Sequence, residues 1–132
     1  SLLKEWHTAL QETSIQCGSY ADIDVPEGAF IYCDPPYRAS RVDYGNAFTD
    51  EDHQQLISWC RKQQKRGCSV WLANREANDG FFEEHASDAS VLRFDITYTA
   101  GRKKKTANGY ESVKATDLLL IWSKESINQK AA

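Results

Sequence analysis

Apolar residues recur at helical spacing near the start of the chain. Leu2, Trp6, Ala9 and Leu10 stand three or four positions apart or next to each other, so that they share one side of a helix. This pattern predicts an amphipathic helix over residues 2–12.

A second helical pattern lies between residues 49 and 66. Thr49 can cap the helix, and the acidic residues 50–52 occupy its first turn, where negative charge is favourable. Gly67 follows the last basic turn and ends it. The side chains predicted to form its apolar face are His53, Leu56, Ile57 and Cys60. We interpret His53 as a residue of this face.

Short apolar runs elsewhere are typical of strands. The predicted strands are residues 14–17, 29–33, 68–73, 90–98 and 115–122, with a short helix over 78–86. The run from Leu118 to Ile121 is apolar on both faces, as in a strand covered on both sides. Because strands alternate with helices, we predict an α/β fold with a mostly parallel sheet. The last two strands, joined by a long loop over 99–114, are predicted to close it as an antiparallel hairpin.

Composition indicates one domain, since 132 residues with 41% hydrophobic and 27% charged residues can bury a single core. The chain has no apolar run long enough to cross a bilayer, and its first residues lack the pattern of a secretory signal. We therefore expect a cytoplasmic protein. The four cysteines lack metal-site spacing, so we predict buried free thiols and no metal.

The stretch Asp34-Pro35-Pro36-Tyr37 follows a predicted strand directly. Ligands gather at the carboxyl ends of strands in open α/β sheets, and Asn74 ends the next predicted strand on the same rim. A residue before proline is held extended, so the two prolines stiffen the loop. The pattern therefore favours a functional loop over a simple turn.

The chemistry of this loop suits a planar amino group. The Asp34 carboxylate and a fixed backbone carbonyl offer two acceptors, which complement the two N–H donors of an exocyclic amine. Tyr37 adds a flat surface for stacking on a heteroaromatic ring. Two placed acceptors can draw the amine hydrogens out of the ring plane and free the lone pair for attack. An adenine would first have to leave its duplex.

The chain resembles the Dam-type (D12 class) family of DNA adenine-N6 methyltransferases. The resemblance rests on CGSYADIDVPEGAFIYCDPPY, on Phe48-Thr49, on Ala73-Asn74 and on RKKKTANGYESVKATDLLLIW. It implies part of a Rossmann-like methyltransferase sheet that transfers a methyl group from S-adenosylmethionine to a flipped adenine. A variant acting on cytosine N4 is an alternative, although a serine usually replaces the aspartate there.

The resemblance also implies roles for individual residues. It assigns catalysis to Asp34, Pro35, Pro36 and Tyr37, and contact with the methyl donor to Ser19, Tyr20 and Asp34. An ordinary strand end is an equally good interpretation of Ser19 and Tyr20. The residues assigned to contact with double-stranded DNA are Arg38, Asn74, Arg102, Lys103, Lys104 and Lys105. A solvated loop is the alternative for the four basic residues at 102–105.

The chain departs from the family in one respect. It contains no F-x-G-x-G or F-x-G-G string, the loop that approaches the methionine part of the donor. We therefore interpret residues 1–125 as the C-terminal part of a catalytic domain and 126–132 as a flexible tail. The expected partners are DNA and either the missing N-terminal half or further copies of the chain. A non-catalytic remnant that self-associates and binds nucleic acid remains the alternative function.

Overall fold

The computed structural model describes residues 1–38, 48–98, 104–106, 109–111 and 113–123. Its helices are α1 (Leu2–Gln11), α2 (Asp50–Lys65) and α3 (Phe81–His85), with a 3-10 turn at Tyr20–Asp22. Its strands are β1 (Phe30–Cys33), β2 (Ser69–Arg75), β3 (Ser90–Tyr98), β4 (Lys104–Thr106), β5 (Gly109–Glu111) and β6 (Val113–Trp122).

Most predicted elements are confirmed, and the best defined is α2. Thr49 Oγ1 accepts a hydrogen bond from the Asp52 N–H, and the Asp52 carboxylate accepts one from the Thr49 N–H. This reciprocal capping satisfies two N–H groups that the first turn of a helix leaves without partners. It also lowers the pKa of Asp52, chiefly through the bond from the Thr49 backbone.

Two local predictions were wrong. Residues 14–17 are not a strand, and Ile15 is 83% exposed, so this short segment gains neither a pairing partner nor burial among the described residues. The predicted loop at 99–114 contains the small antiparallel hairpin β4–β5 and the first residues of β6.

The prediction of a mostly parallel sheet was also wrong. The order is β1-β2-β6-β3, in which β1 and β2 are parallel while both pairings of β6 are antiparallel. The predicted hairpin of β3 and β6 is confirmed, but β6 enters between β2 and β3 instead of adding at the edge. Three strands therefore share one direction, and the inserted β6 makes two of the three pairings antiparallel.

The hydrophobic core lies on one face of this sheet, beneath α2 and α3. Side chains alternate along a strand, so β2 and β6 each send every second residue into the core. The core residues include Leu56, Ile57, Cys60, Val70, Leu72, Phe82, Leu118, Leu120 and Trp122. Trp122 is completely buried, and its indole N–H donates to Asp88. We call this the covered face.

The opposite face carries large apolar side chains that remain accessible, and we call it the open face. The exposed fractions are 61% for Phe30, 57% for Tyr32, 36% for Trp71, 48% for Leu92 and 50% for Phe94. The strand register places Tyr32 beside Trp71 across the first pairing. Phe30 meets the Trp71 ring edge to face at 5.2 Å between centroids. The open face is thus a continuous apolar surface and not a set of scattered residues.

Helix α1 is amphipathic as predicted, yet it has no buried residue. Leu3 is 81% exposed and Trp6 is 62% exposed. The cysteines are free thiols, as predicted, but the prediction that all are buried was wrong, because Cys17 is exposed. Cys17 belongs to the segment that failed to form a strand, so the sheet does not cover it.

Candidate active site

The Asp34–Tyr37 loop leaves β1 at its carboxyl end, as predicted. Asp34 is exposed, whereas Pro35, Pro36 and Tyr37 are partly buried. No hydrogen bond joins the Asp34 carboxylate or the Pro35 carbonyl to another described residue. Both acceptors therefore remain available to a ligand within this part of the chain. The Arg75 guanidinium lies 5.5 Å from the centre of the Tyr37 ring, within range of a cation–π contact.

Asn74 anchors the end of the loop. It is fully buried in β2, and its Oδ1 accepts hydrogen bonds from the N–H groups of Arg38, at 3.1 Å, and Arg75, at 2.9 Å. These two donors fix the orientation of the amide, because the reverse orientation would set N–H against N–H. Its Nδ2 is buried and has no partner in the described part of the chain. Its contact with DNA stays a prediction, and in the structure Asn74 holds the N–H groups of Arg38 and Arg75.

Arg38 joins the loop to the start of two helices. Its Nε and Nη2 donate to the two carboxylate oxygens of Asp50, at 2.8 and 2.9 Å, and its Nη1 donates to Asp79 at 3.0 Å. The guanidinium carbon lies 3.7 Å from the centre of the Phe81 ring. These bonds raise the pKa of Arg38, with the Asp50 bond the largest cause, and they lower the pKa of both carboxyls.

The guanidinium of Arg38 therefore donates its hydrogen bonds to carboxylates of the protein itself. Its side chain is 9% exposed, although Asp50 and Asp79 are 57% and 45% exposed. Contact with a DNA phosphate would require Arg38 to leave two carboxylates. Planar, bidentate pairing of this kind is a strong way for arginine to hold two elements together. The geometry favours a role for Arg38 in fixing the loop.

His53 was interpreted as part of the helix face, and the structure gives it a further contact. It is buried, and its Nε2 lies 3.1 Å from the carbonyl oxygen of Pro36. Helical spacing alone cannot separate such a histidine from a packing residue. The sequence signal for the Arg38 partners was equally weak, because Asp50 looks like a first-turn acid of α2 and Asp79 falls near the start of the predicted helix 78–86.

A cleft of about 390 Å³ lies beside the loop. Its lining includes the predicted catalytic residues Asp34, Pro35 and Pro36, the predicted donor-binding Tyr20, and Gly18. The Tyr20 ring packs edge to face on Trp59, with 5.4 Å between centroids, and burial is the largest cause of its raised pKa. Ser19 caps the 3-10 turn, where its Oγ accepts from the Ala21 N–H, and does not line this cleft.

The basic residues are described only in part. Lys104 and Lys105 lie in β4, opposite Glu111 and Tyr110 of β5. Arg102 and Lys103 lie outside the described residues, as does the predicted tail at 126–132. No three metal-ligating side chains meet within the described ranges. None of the helices in the described ranges could span a membrane.

The fold and the loop define a class of protein, an α/β chain with an aspartate-proline acceptor pair at the end of a strand. The model of the D12 class N6 adenine-specific DNA methyltransferases matches residues 1–100. The chain is 33% identical over 87 residues to the type II methyltransferase M.MjaIII of Methanocaldococcus jannaschii, a match that covers 60% of this chain and 30% of that protein. The chain belongs to the D12 class family, and its match spans less than a third of this relative.

Proposed function

We propose that this chain supplies the base-binding part of a methyltransferase that modifies the N6 amino group of adenine in DNA. One observation carries this proposal. The loop is anchored through Pro36, Arg38 and Asn74, while the Asp34 carboxylate and the Pro35 carbonyl are left without partners among the described residues. A rigid loop with two open acceptors suits an amino group better than a turn that only connects two elements.

In this proposal Asp34 and the Pro35 carbonyl each accept one N–H of the adenine amino group. The nitrogen lone pair would then attack the methyl carbon of the donor directly, with no covalent enzyme intermediate. The methyl–sulfur bond would break, the donor would leave as a neutral thioether, and the nitrogen would lose its extra proton to Asp34 or to water. Acceptors fixed before the reaction cost no reorganisation when charge develops. Tyr37 stacks on the flipped base, and Pro36 keeps the loop extended. Arg75, against the Tyr37 ring, restrains the orientation of that ring.

S-adenosylmethionine would supply an activated methyl group on sulfur. The cleft beside the loop fits part of this donor, because Tyr20, Ile23 and Ile31 give it an apolar wall and Asp34 lies at its edge. This sequence contains no glycine-rich string of the kind that the family uses to bind the methionine end of the donor. We therefore expect Tyr20 and Asp34 to contact the donor, with Ser19 shaping the turn before Tyr20.

The open face and the outer edge of β1 indicate where a further segment would pack against this chain. An exposed strand edge offers unpaired backbone groups, and a continuous apolar surface is costly to leave in water. We propose that a segment carrying the glycine-rich loop covers both and extends the sheet into a full Rossmann-like arrangement. Without that segment, we expect the chain to associate with copies of itself.

The basic residues 102–105 supply the proposed contact with DNA. Lysine and arginine bind phosphates with little dependence on sequence, so this segment would hold the duplex while the Asp34–Tyr37 loop receives the base. DNA as the substrate also fits a cytoplasmic location. The second candidate function is a non-catalytic remnant, which the missing glycine string and the open face both favour.

Calorimetric titration with S-adenosylmethionine separates these functions. We expect the chain alone to bind weakly or not at all, and to bind in the micromolar range once the N-terminal half of a D12 class relative is added. A low micromolar dissociation constant for the chain alone would contradict the partial-site account. No binding even to the completed protein would favour the remnant.

A further inference from the structure

The imidazole of His53 is held in one orientation. Its side chain is 1% exposed, and the Phe48 ring meets it edge to face at 4.6 Å between centroids. Phe81 approaches from another direction at 6.3 Å. In this position the ring presents Nδ1 to the Thr49 carbonyl, at 2.9 Å, and Nε2 to the Pro36 carbonyl, at 3.1 Å.

Both partners of the ring are acceptors, whereas a neutral imidazole has one N–H to donate. The Thr49 carbonyl already accepts the His53 backbone N–H, at 3.0 Å. The Pro36 carbonyl has no other donor among the described residues. Pro36 is partly buried, and a carbonyl that is shielded from water is costly to leave without a donor. We therefore assign a proton to Nε2, which donates to Pro36.

We infer that His53 is a positioning residue that holds the Pro36 carbonyl against α2 and thereby sets the direction of the Pro35 carbonyl. This inference rests on the proposed function, in which the Pro35 carbonyl receives the adenine amino group. His53 does not touch the base or the methyl donor. It acts through the backbone of the loop.

The geometry of an extended proline pair explains the link. Successive carbonyls along such a segment are rotated by roughly 120° about its axis, because the conformation has three residues per turn. In that conformation, when the Pro36 oxygen faces His53 of α2, the Pro35 oxygen points in a different direction. The bond from the Arg38 N–H to Asn74 holds the chain two residues further on. The loop is thus held on both sides of Tyr37.

Two amide substitutions at position 53 separate this bond from simple packing. The side-chain nitrogen of glutamine reaches the region of Nε2, whereas that of asparagine reaches the region of Nδ1. Both remove the aromatic ring. We expect His53→Asn to speed hydrogen exchange of the Arg38 amide about tenfold, as the loss of one buried bond implies, and His53→Gln to leave it within about threefold.

Exchange of the Leu72 amide, in the core strand β2, measures global unfolding in each variant. His85→Asn is the matched control, because it makes the same substitution at a histidine that is only partly buried. Equal exchange at Arg38 in the Asn and Gln variants, whether fast or slow, would overturn the inference. If the variants do not fold, the ring nitrogens of the wild-type protein decide by long-range 15N correlation. A bare Nε2 with a protonated Nδ1 would overturn it.

The role of His53 and the proposed function can be rejected independently of each other. Exchange in the expected pattern, together with no methyl transfer by the completed protein, would leave the tether in place and reject the reaction. Methyl transfer with equal exchange in both variants would keep the reaction and reject His53 as its positioning residue.

Discussion

Both faces of the central sheet carry large apolar side chains, and the two faces differ in what covers them. On the covered face, Leu72 and Leu120 are fully buried beneath the helices. On the open face, Leu92 and Phe94 remain about half exposed, although they lie in a strand of the same sheet. Among the described residues, helices therefore cover one apolar face of the sheet and leave the other accessible.

The Asp34–Tyr37 loop lies where this difference matters. Its anchors, His53, Asn74 and Arg38, belong to the covered side or bind residues there. In the proposed function, this chain supplies the base-binding half of the site, and the segment that covers the open face supplies the glycine-rich part of the donor-binding half.

A matched pair of leucines gives the largest expected effect. Leu72→Ala should lower the free energy of unfolding by about 2–5 kcal/mol, because it opens a cavity in the core. Leu92→Ala should cost less than about 1 kcal/mol, since its side chain is 48% exposed. Urea unfolding of the two variants measures this. Equal losses would mean that the open face is covered in solution.

Self-association tests the open face more finely. We expect the chain to form dimers or larger assemblies. Phe30→Ser should raise the dissociation constant of self-association at least about tenfold, because it removes an apolar anchor. Ile15→Ser is the control, since this exposed residue lies outside the helices and strands of the sheet. Light scattering is the measurement. A compact monomer at high protein concentration would contradict the expectation.

The Arg38 clamp gives a smaller, pH-dependent effect on the loop. Asp50 and Asp79 both have a pKa below the ordinary 3.8, chiefly because of the hydrogen bonds from Arg38. Their contribution is complete above about pH 4 and is lost as the pH falls through the lowered pKa values. Asp79→Asn should destabilise by about 0.5–1 kcal/mol at pH 6, as exposed pairs do.

The difference between wild type and Asp79→Asn should shrink when unfolding is repeated near pH 3. Asp24→Asn, at an exposed aspartate before β1, is the control. A difference of the same size at both pH values would mean that the ion pair does not cause it.

The smallest effect concerns the basic residues 102–105, of which Lys104 and Lys105 lie in β4, outside the central sheet. Replacing Lys103, Lys104 and Lys105 with alanine should flatten the salt dependence of DNA binding by about 0.9 in the logarithmic slope for each phosphate that the variant no longer neutralises. Fluorescence anisotropy with duplex DNA at several salt concentrations measures the slope. An unchanged slope would identify the segment as a solvated loop.

The sequence predicted the elements well where a local pattern was strong. The cap at Thr49, the apolar face of α2 and the long run of β6 each follow from short-range chemistry. The position of β6 between β2 and β3 does not, because strand order depends on pairings between distant residues. Residues 14–17 failed for the same reason, since a short apolar run needs a neighbour to become a strand.

The candidate site was predictable to a similar extent. Asp34, Pro35 and Tyr37 stand out as a motif, and Asp34 and Tyr20 line the same cleft. The supporting contacts were not visible in the sequence. Arg38 looked like a free basic residue and His53 like a packing residue, because their partners Asp79 and Pro36 lie 41 and 17 positions away.

Methyl transfer tests the central claim most directly. The chain is combined with the N-terminal half of a D12 class relative, and transfer of a labelled methyl group to adenine N6 in duplex DNA is followed for wild type, Asp34→Ala and the control Asp24→Ala. We expect wild type and Asp24→Ala to transfer methyl groups at similar rates, and Asp34→Ala to be slower by at least about 100-fold with an unchanged fold. Undiminished transfer by Asp34→Ala would contradict the account.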